Sequence, residues 1–168
     1  MSGKRVTFIG DAMAAVVQGV EEVRTLIGQP PVVVGGLAVM CRLSRPYRAT
    51  TDLDVVDRLL GATPQLQVLR SAQGAEPVEP TSVLLPTVYG KVKIDVLEVR
   101  QIEIDQPSDD PGDRLHASAH AWATDTATEV TIAVAGVSAQ GTEPSSVHRA
   151  AMGRAASRFP KESCCSPA

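Results

Sequence analysis

Aromatic side chains are scarce in this chain: Phe, Trp and Tyr together make up 3% of 168 residues. That argues against a surface that grips nucleic acid mainly by stacking bases on rings, and it leaves Val, Leu, Ile and Ala to build a core. Cysteine is equally sparse. Cys41 stands alone and Cys164 adjoins Cys165, a spacing that makes neither a disulfide framework nor a zinc site and that suits a reducing compartment. Positive charge is not in excess either. The 16 Lys and Arg against 19 Asp and Glu give a net charge of -3, which argues against nonspecific coating of nucleic acid and leaves room only for a local basic patch. No run of about 20 apolar residues exists to cross a bilayer, and the opening MSGKRVTFIGDAM has no apolar h-region. The expectation is a cytoplasmic protein with no membrane partner.

What is present has the composition of a globular domain, 43% apolar and 21% charged. Lys4 to Gly10 reads as a strand or a loose arm. From Asp11 the apolar residues Ala12, Val16, Val20, Val23 and Ile27 recur at helical spacing, with Asp11 placed to cap the helix and Gly28 and Pro30 to end it. Pro31 to Val34 reads as a buried strand, and Leu37 to Leu43 as a short helix. Pro64 to Ser71 has a helical pattern, and Gln73 to Pro80 reads as a surface loop. Ser82 to Val88 and Lys91 to Val99 form a hairpin about Tyr89 and Gly90. Asp105 to Gly112 is then a loop, Arg114 to Trp122 a short helix and Thr128 to Val134 a strand. The fold class is α+β.

The chemistry concentrates in Pro31 to Val56, PVVVGGLAVMCRLSRPYRATTDLDVV. Successive side chains of a strand alternate faces, so Asp52 and Asp54 share one face while Leu53 and Val55 take the other. Two neighbouring carboxylates repel and raise one another's pKa unless a cation, a proton or solvent intervenes. In the second hairpin strand Val92, Ile94 and Val96 take one side, and Lys91, Lys93, Asp95 and Leu97 the other. Asp is depleted in strands, so Asp95 is either the partner of a base such as Lys93 or a third carboxylate beside the first two. Three carboxylates from two strands make an oxygen cage for a hard divalent cation. Gly35 and Gly36 have two readings, a tight turn or an anion site at the start of a helix. Arg42, Arg45 and Arg48 form a basic loop before Thr50 and Thr51, which stand next to Asp52 and within reach of it or of a ligand.

Other chemistries find less support. His116 and His120 share a helix face without a third ligand for zinc. Ser44 and Cys41 lack the context of a nucleophile elbow or a cysteine-protease motif.

The order GG, residues 37–51, D-x-D and then a strand aspartate resembles the nucleotidyltransferase fold of the DNA polymerase beta superfamily. Within it, VVVGGLAVM, RATTDLDVV and KIDVLEV look most like the AbiEii and MenT type toxins of bacterial toxin–antitoxin or phage-abortive systems. The resemblance covers Pro31 to Val99. It implies a mixed β-sheet flanked by helices, a nucleoside triphosphate donor and Mg2+, with Mn2+ as the alternative ion. Asp52, Asp54 and Asp95 would be the catalytic and metal-binding carboxylates, and Gly35, Gly36, Arg48, Thr50 and Thr51 the nucleotide-binding residues. The acceptor it implies is RNA, the tRNA 3' end, with translation blocked and a cognate antitoxin as partner. The alternatives are a non-catalytic remnant that binds nucleotide or a partner, and a transferase acting on a small antibiotic.

The family pattern divides the chain into a core over 1–135 and a short or truncated C-terminal helical tail over 136–168. There Lys161 is followed by Glu162 where relatives have Asp, and Arg149 and Arg154, on an Ala-rich helix, are the basic candidates for the triphosphate.

Overall fold

Val16, Val17, Val20 and Val23 make an apolar stripe on one helix, and such a stripe is stable only against another apolar surface. That surface is a sheet of eight strands. The computed structural model describes residues 4–43, 49–136 and 147–152. In chain order it runs β1 (Lys4–Ile9), α1 (Ala14–Ile27), β2 (Val32–Val33), α2 (Gly35–Arg42), β3 (Asp52–Asp57), α3 (Gln65–Arg70), β4 (Glu76–Glu79), β5 (Ser82–Thr87), β6 (Gly90–Glu98), α4 (Gln101–Asp105), α5 (Pro111–Asp125), β7 (Thr128–Ala135) and β8 (Val147–Met152). The spatial order is β1-β7-β8-β2-β3-β6-β5-β4. The sheet is mixed: β1 with β7, β8 with β2 and β3 with β6 are parallel, and the other neighbours are antiparallel. An α+β architecture with a mixed sheet flanked by helices is therefore borne out. No helix among the described residues is long and apolar enough to cross a membrane.

The two sheet faces are covered unequally. One carries Val33, Leu53, Val55, Val83, Leu85, Val92, Ile94 and Val96, buried under α1, α2 and α3 in the main core. Leu53 and Ile94 are fully buried there, each worth roughly 1.5–3 kcal/mol relative to exposure. On the other face Ala117 and Ala121 of α5 pack on Val56 and Val99 in a smaller cluster. That helix covers the Val56 and Leu97 end. Asp52, Asp54 and Asp95 lie on the same face by strand alternation, further along β3 and β6.

The helix from Asp11 begins as a single 3-10 turn, Asp11–Met13, before α1 proper. It ends at Gly28 in the left-handed conformation, whose N–H bonds Arg24 O at 2.9 Å. β1 is a true strand on the sheet edge. α5 is longer than Arg114 to Trp122 because Asp110 caps it, accepting from Gly112 N at 2.7 Å and Asp113 N at 3.0 Å, with Pro111 in its first turn. α4 fills the stretch between the strand expected to end at Val99 and the loop expected from Asp105.

Two segments differ more. Glu76–Glu79 is an edge strand rather than a loop; Pro77 and its exposed glutamates suit an outer strand. Val147–Met152, expected within an Ala-rich helix, is instead β8, inserted between β7 and β2. Two flanking ladders override the helix propensity of its alanines, and its last residue, Met152, is fully buried. A boundary after residue 135 thus has no counterpart at Val147–Met152, which belongs to the same sheet. The remainder of the expected tail, including Arg154 and Lys161, lies outside the described residues.

Candidate metal centre

β3 and β6 run parallel in the register Asp52 to Lys93 and Asp54 to Asp95. Adjacent strands lie about 4.8 Å apart, so this pairing sets Asp54 beside Asp95, with Asp52 one pleat away on the same face. The three half-buried carboxylates each offer an oxygen within 4.8 Å of the others, close enough to bind a metal ion. All the donors are carboxylate oxygens, the set that suits a hard divalent cation.

Neighbouring hydroxyls hold two of the carboxylates. Thr50, buried at the mouth of β3, donates from Oγ1 to Asp52 Oδ1 at 2.6 Å. Ser82, fully buried on β5, donates to Asp95 Oδ1 in a short hydrogen bond. It also lies 3.2 Å from Glu79 Oε2. Lys93 Nζ sits 3.2 Å from Asp95 Oδ1 and 3.0 Å from Glu79 Oε2. Both readings of Asp95 hold together: it pairs with Lys93 and it stands with Asp52 and Asp54.

The glycines have a steric purpose that the sequence only hinted at. Gly35 has φ +60, and a Cβ there would overlap Asp54 Oδ2 and lie 2.7 Å from its Cγ. A Cβ on Gly36 would lie 2.9 Å from Thr50 Oγ1. The pair opens the start of α2 so that the Asp54 carboxylate can rest against it, close enough to the Gly36 backbone for that group to favour its charged form. The first-turn N–H groups of α2 have no partner within the helix, and no side chain caps them. Burial raises the Asp54 pKa above its ordinary value, with Asp52 and Asp95 adding to the rise and Gly36 and Lys93 opposing it.

The remaining sequence candidates are distributed differently. Thr51 is exposed, and Thr50 is the threonine that bonds Asp52. Arg48 lies outside the described residues. Arg149 falls on β8 opposite Thr131, on a strand and not a helix. Arg42 donates from Nη2 to Met152 O at 3.1 Å, tying the end of α2 to the end of β8. Cys41 is buried and its thiol is pushed up to about 11, chiefly by that burial, so it is no nucleophile at neutral pH. His120 lies over His116 and contacts its carbonyl at 2.8 Å. Neither histidine belongs to a metal-capable cluster among the described residues.

Ser82 and Glu79 were not singled out in the sequence. A signal existed for Ser82: a two-residue turn at Val88 and Tyr89 pairs Thr87 with Gly90 and, counting outward, Ser82 with Asp95. Ser82→Ala is expected to weaken Mn2+ binding by roughly 10–100-fold, the usual effect of removing an outer partner of a ligand. It should also cost about 1–3 kcal/mol by leaving Asp95 short of a donor. Mn2+ titration and thermal melting measure the two effects, and an unchanged affinity would remove Ser82 from the site.

Comparison with protein-family models, with curated proteins and with solved structures finds no match.

Proposed function

We propose that this chain is a magnesium-dependent nucleotidyltransferase of the polymerase beta-like type, transferring a nucleotide from a nucleoside triphosphate to RNA. The observation that carries the reading is the convergence of Asp52, Asp54 and Asp95, with Asp54 resting on the Gly35–Gly36 turn at the start of a helix. A cation held by carboxylates and an anion-facing helix start, side by side, suit a substrate that is a chelated triphosphate.

In this reading Asp52, Asp54 and Asp95 would hold the cation, with Thr50 and Ser82 fixing the orientation of Asp52 and Asp95. When bound, Mg2+ offsets charge on the triphosphate and activates the attacking hydroxyl. The first turn of α2 faces the phosphates. The acceptor hydroxyl forms a bond to the α-phosphorus while the bond from that phosphorus to the bridging oxygen breaks. Its proton passes to water and pyrophosphate departs.

The resemblance of VVVGGLAVM, RATTDLDVV and KIDVLEV to AbiEii and MenT type toxins supports the tRNA 3' end as acceptor. It also supports inhibition of translation as the outcome and a cognate antitoxin as partner. The test is incubation with each of four α-labelled triphosphates, Mg2+ and one acceptor: total tRNA, protein or an aminoglycoside. Label is expected in tRNA and is expected to vanish in Asp52→Ala. Label that persists in that variant overturns the assignment. Label on the aminoglycoside alone makes this a small-molecule transferase, and triphosphate binding without transfer makes it a binding module.

A further inference from the structure

The carboxylate cluster has two unlike ends. At the Asp54 end lie the glycine turn and the start of α2, against which the Asp54 carboxylate rests. At the Asp95 end lies an ammonium. Lys93 follows the same face of β6 as Asp95, and its Nζ is gripped between Asp95 Oδ1 at 3.2 Å and Glu79 Oε2 at 3.0 Å. Glu79 is itself tied to the buried Ser82, which bonds Asp95. The lysine is thus held by a closed set of contacts spanning β4, β5 and β6, with a third of its side chain exposed.

Paired catalytic ions stand about 3.5–4 Å apart and share a bridging carboxylate. A second ion shared through Asp95 Oδ1 would compete for that oxygen with the Lys93 ammonium, which already stands 3.2 Å from it. Lysine is a compact, strongly hydrated point charge, the side chain closest to a small cation in size and field.

We propose that Lys93 stands in for a second divalent cation, so that the cluster loads one ion, between Asp52, Asp54 and Asp95, and the chain itself supplies the other positive charge. The inference rests on the reading of these aspartates as a cation site. It narrows that reading from two ions to one ion and one lysine, and it makes Lys93 a positioning residue whose removal changes stoichiometry.

The test counts bound Mn2+ by the loss of the free-ion electron paramagnetic resonance signal, using the full chain and no nucleotide. Wild type and Lys93→Arg are expected to bind one Mn2+ each. Lys93→Met and Lys93→Gln are expected to bind two, the second at least tenfold more tightly than any second ion in wild type. The two neutral replacements guard against one failing to fold, and circular dichroism checks each. Two ions in wild type, or one in both neutral variants, overturns the role of Lys93 and leaves the cation site standing. No Mn2+ bound by any of the four overturns both.

Discussion

Asp54→Asn is expected to abolish tight divalent-cation binding and, without added cation, to raise the melting temperature at neutral pH. The opposed effects have one origin. Burial and the neighbours Asp52 and Asp95 disfavour the charged form of Asp54, so the neutral amide relieves the protein of that penalty while removing a ligand. The sign follows from linkage. The folded-state pKa of Asp54 is raised above the ordinary 3.8, so its contribution to stability is fully present below that ordinary value and is lost as pH rises through the raised one. Wild type without cation should therefore lose stability across that interval, and Asp54→Asn should lose less.

A divalent cation reverses the balance in wild type. At a hundred times its dissociation constant it should stabilise the fold by about 2.7 kcal/mol, or about 5–10 °C for a chain of this size. Asp54→Asn should show almost none of this shift. Melting curves of both proteins from pH 4 to 8, with and without Mn2+, measure all of these effects. An asparagine variant that melts lower than wild type and binds Mn2+ equally well would contradict the account of the cluster.

Gly35→Ala is expected to be nearly as damaging to the site although it removes no ligand. An alanine at φ +60 costs roughly 1–2 kcal/mol in backbone strain alone. Its Cβ would also fall on the Asp54 carboxylate, 2.7 Å from Cγ, so the ligand must move off the start of α2. Cation affinity should fall by about 100-fold, the upper range for disturbing the support of a ligand, and the melting temperature by about 2–8 °C. Gly28→Ala is the control. Its φ is +74 and nothing lies within 4 Å of an added Cβ, so it should show a similar backbone cost with cation affinity intact. Equal losses of affinity in both variants would mean that backbone strain, and not displacement of Asp54, governs the site.

The parts of the molecule legible in the sequence are those whose signal is local. Alternation placed Asp52 and Asp54 on one face and Asp95 with Lys93 on another strand, because a period of two survives whatever the strand pairs with. The stripe of α1 and its end at Gly28 were legible for the same reason. What the sequence could not show is what depends on distant partners. β8 has the composition of a helix, and only the open ladder between β7 and β2 makes Val147–Met152 extended. β4 reads as a loop because an outer strand carries proline and charge like one. In the site, the glycine pair was visible but its reason was not, since the overlap with Asp54 and Thr50 exists only once β3 lies beside the start of α2. Lys93 was visible as a neighbour of Asp95, whereas its second anchor, Glu79, depends on the pairing of β4 with β5 and on the hairpin register beyond it.

The insertion of β8 also orders the assembly of the fold in time. The strands that carry the carboxylates, β2 to β6, are contiguous in sequence and can pair among themselves as they emerge from the ribosome. β1 precedes these strands yet, among the described residues, has no ladder until β7 appears, and the β1–β7 pair meets the rest of the sheet through β8. Contacts of such sequence separation are slow to form. The nascent chain therefore carries β1 unpaired until β7 has emerged, and the acidic cluster can come together before the sheet that supports it is joined into one.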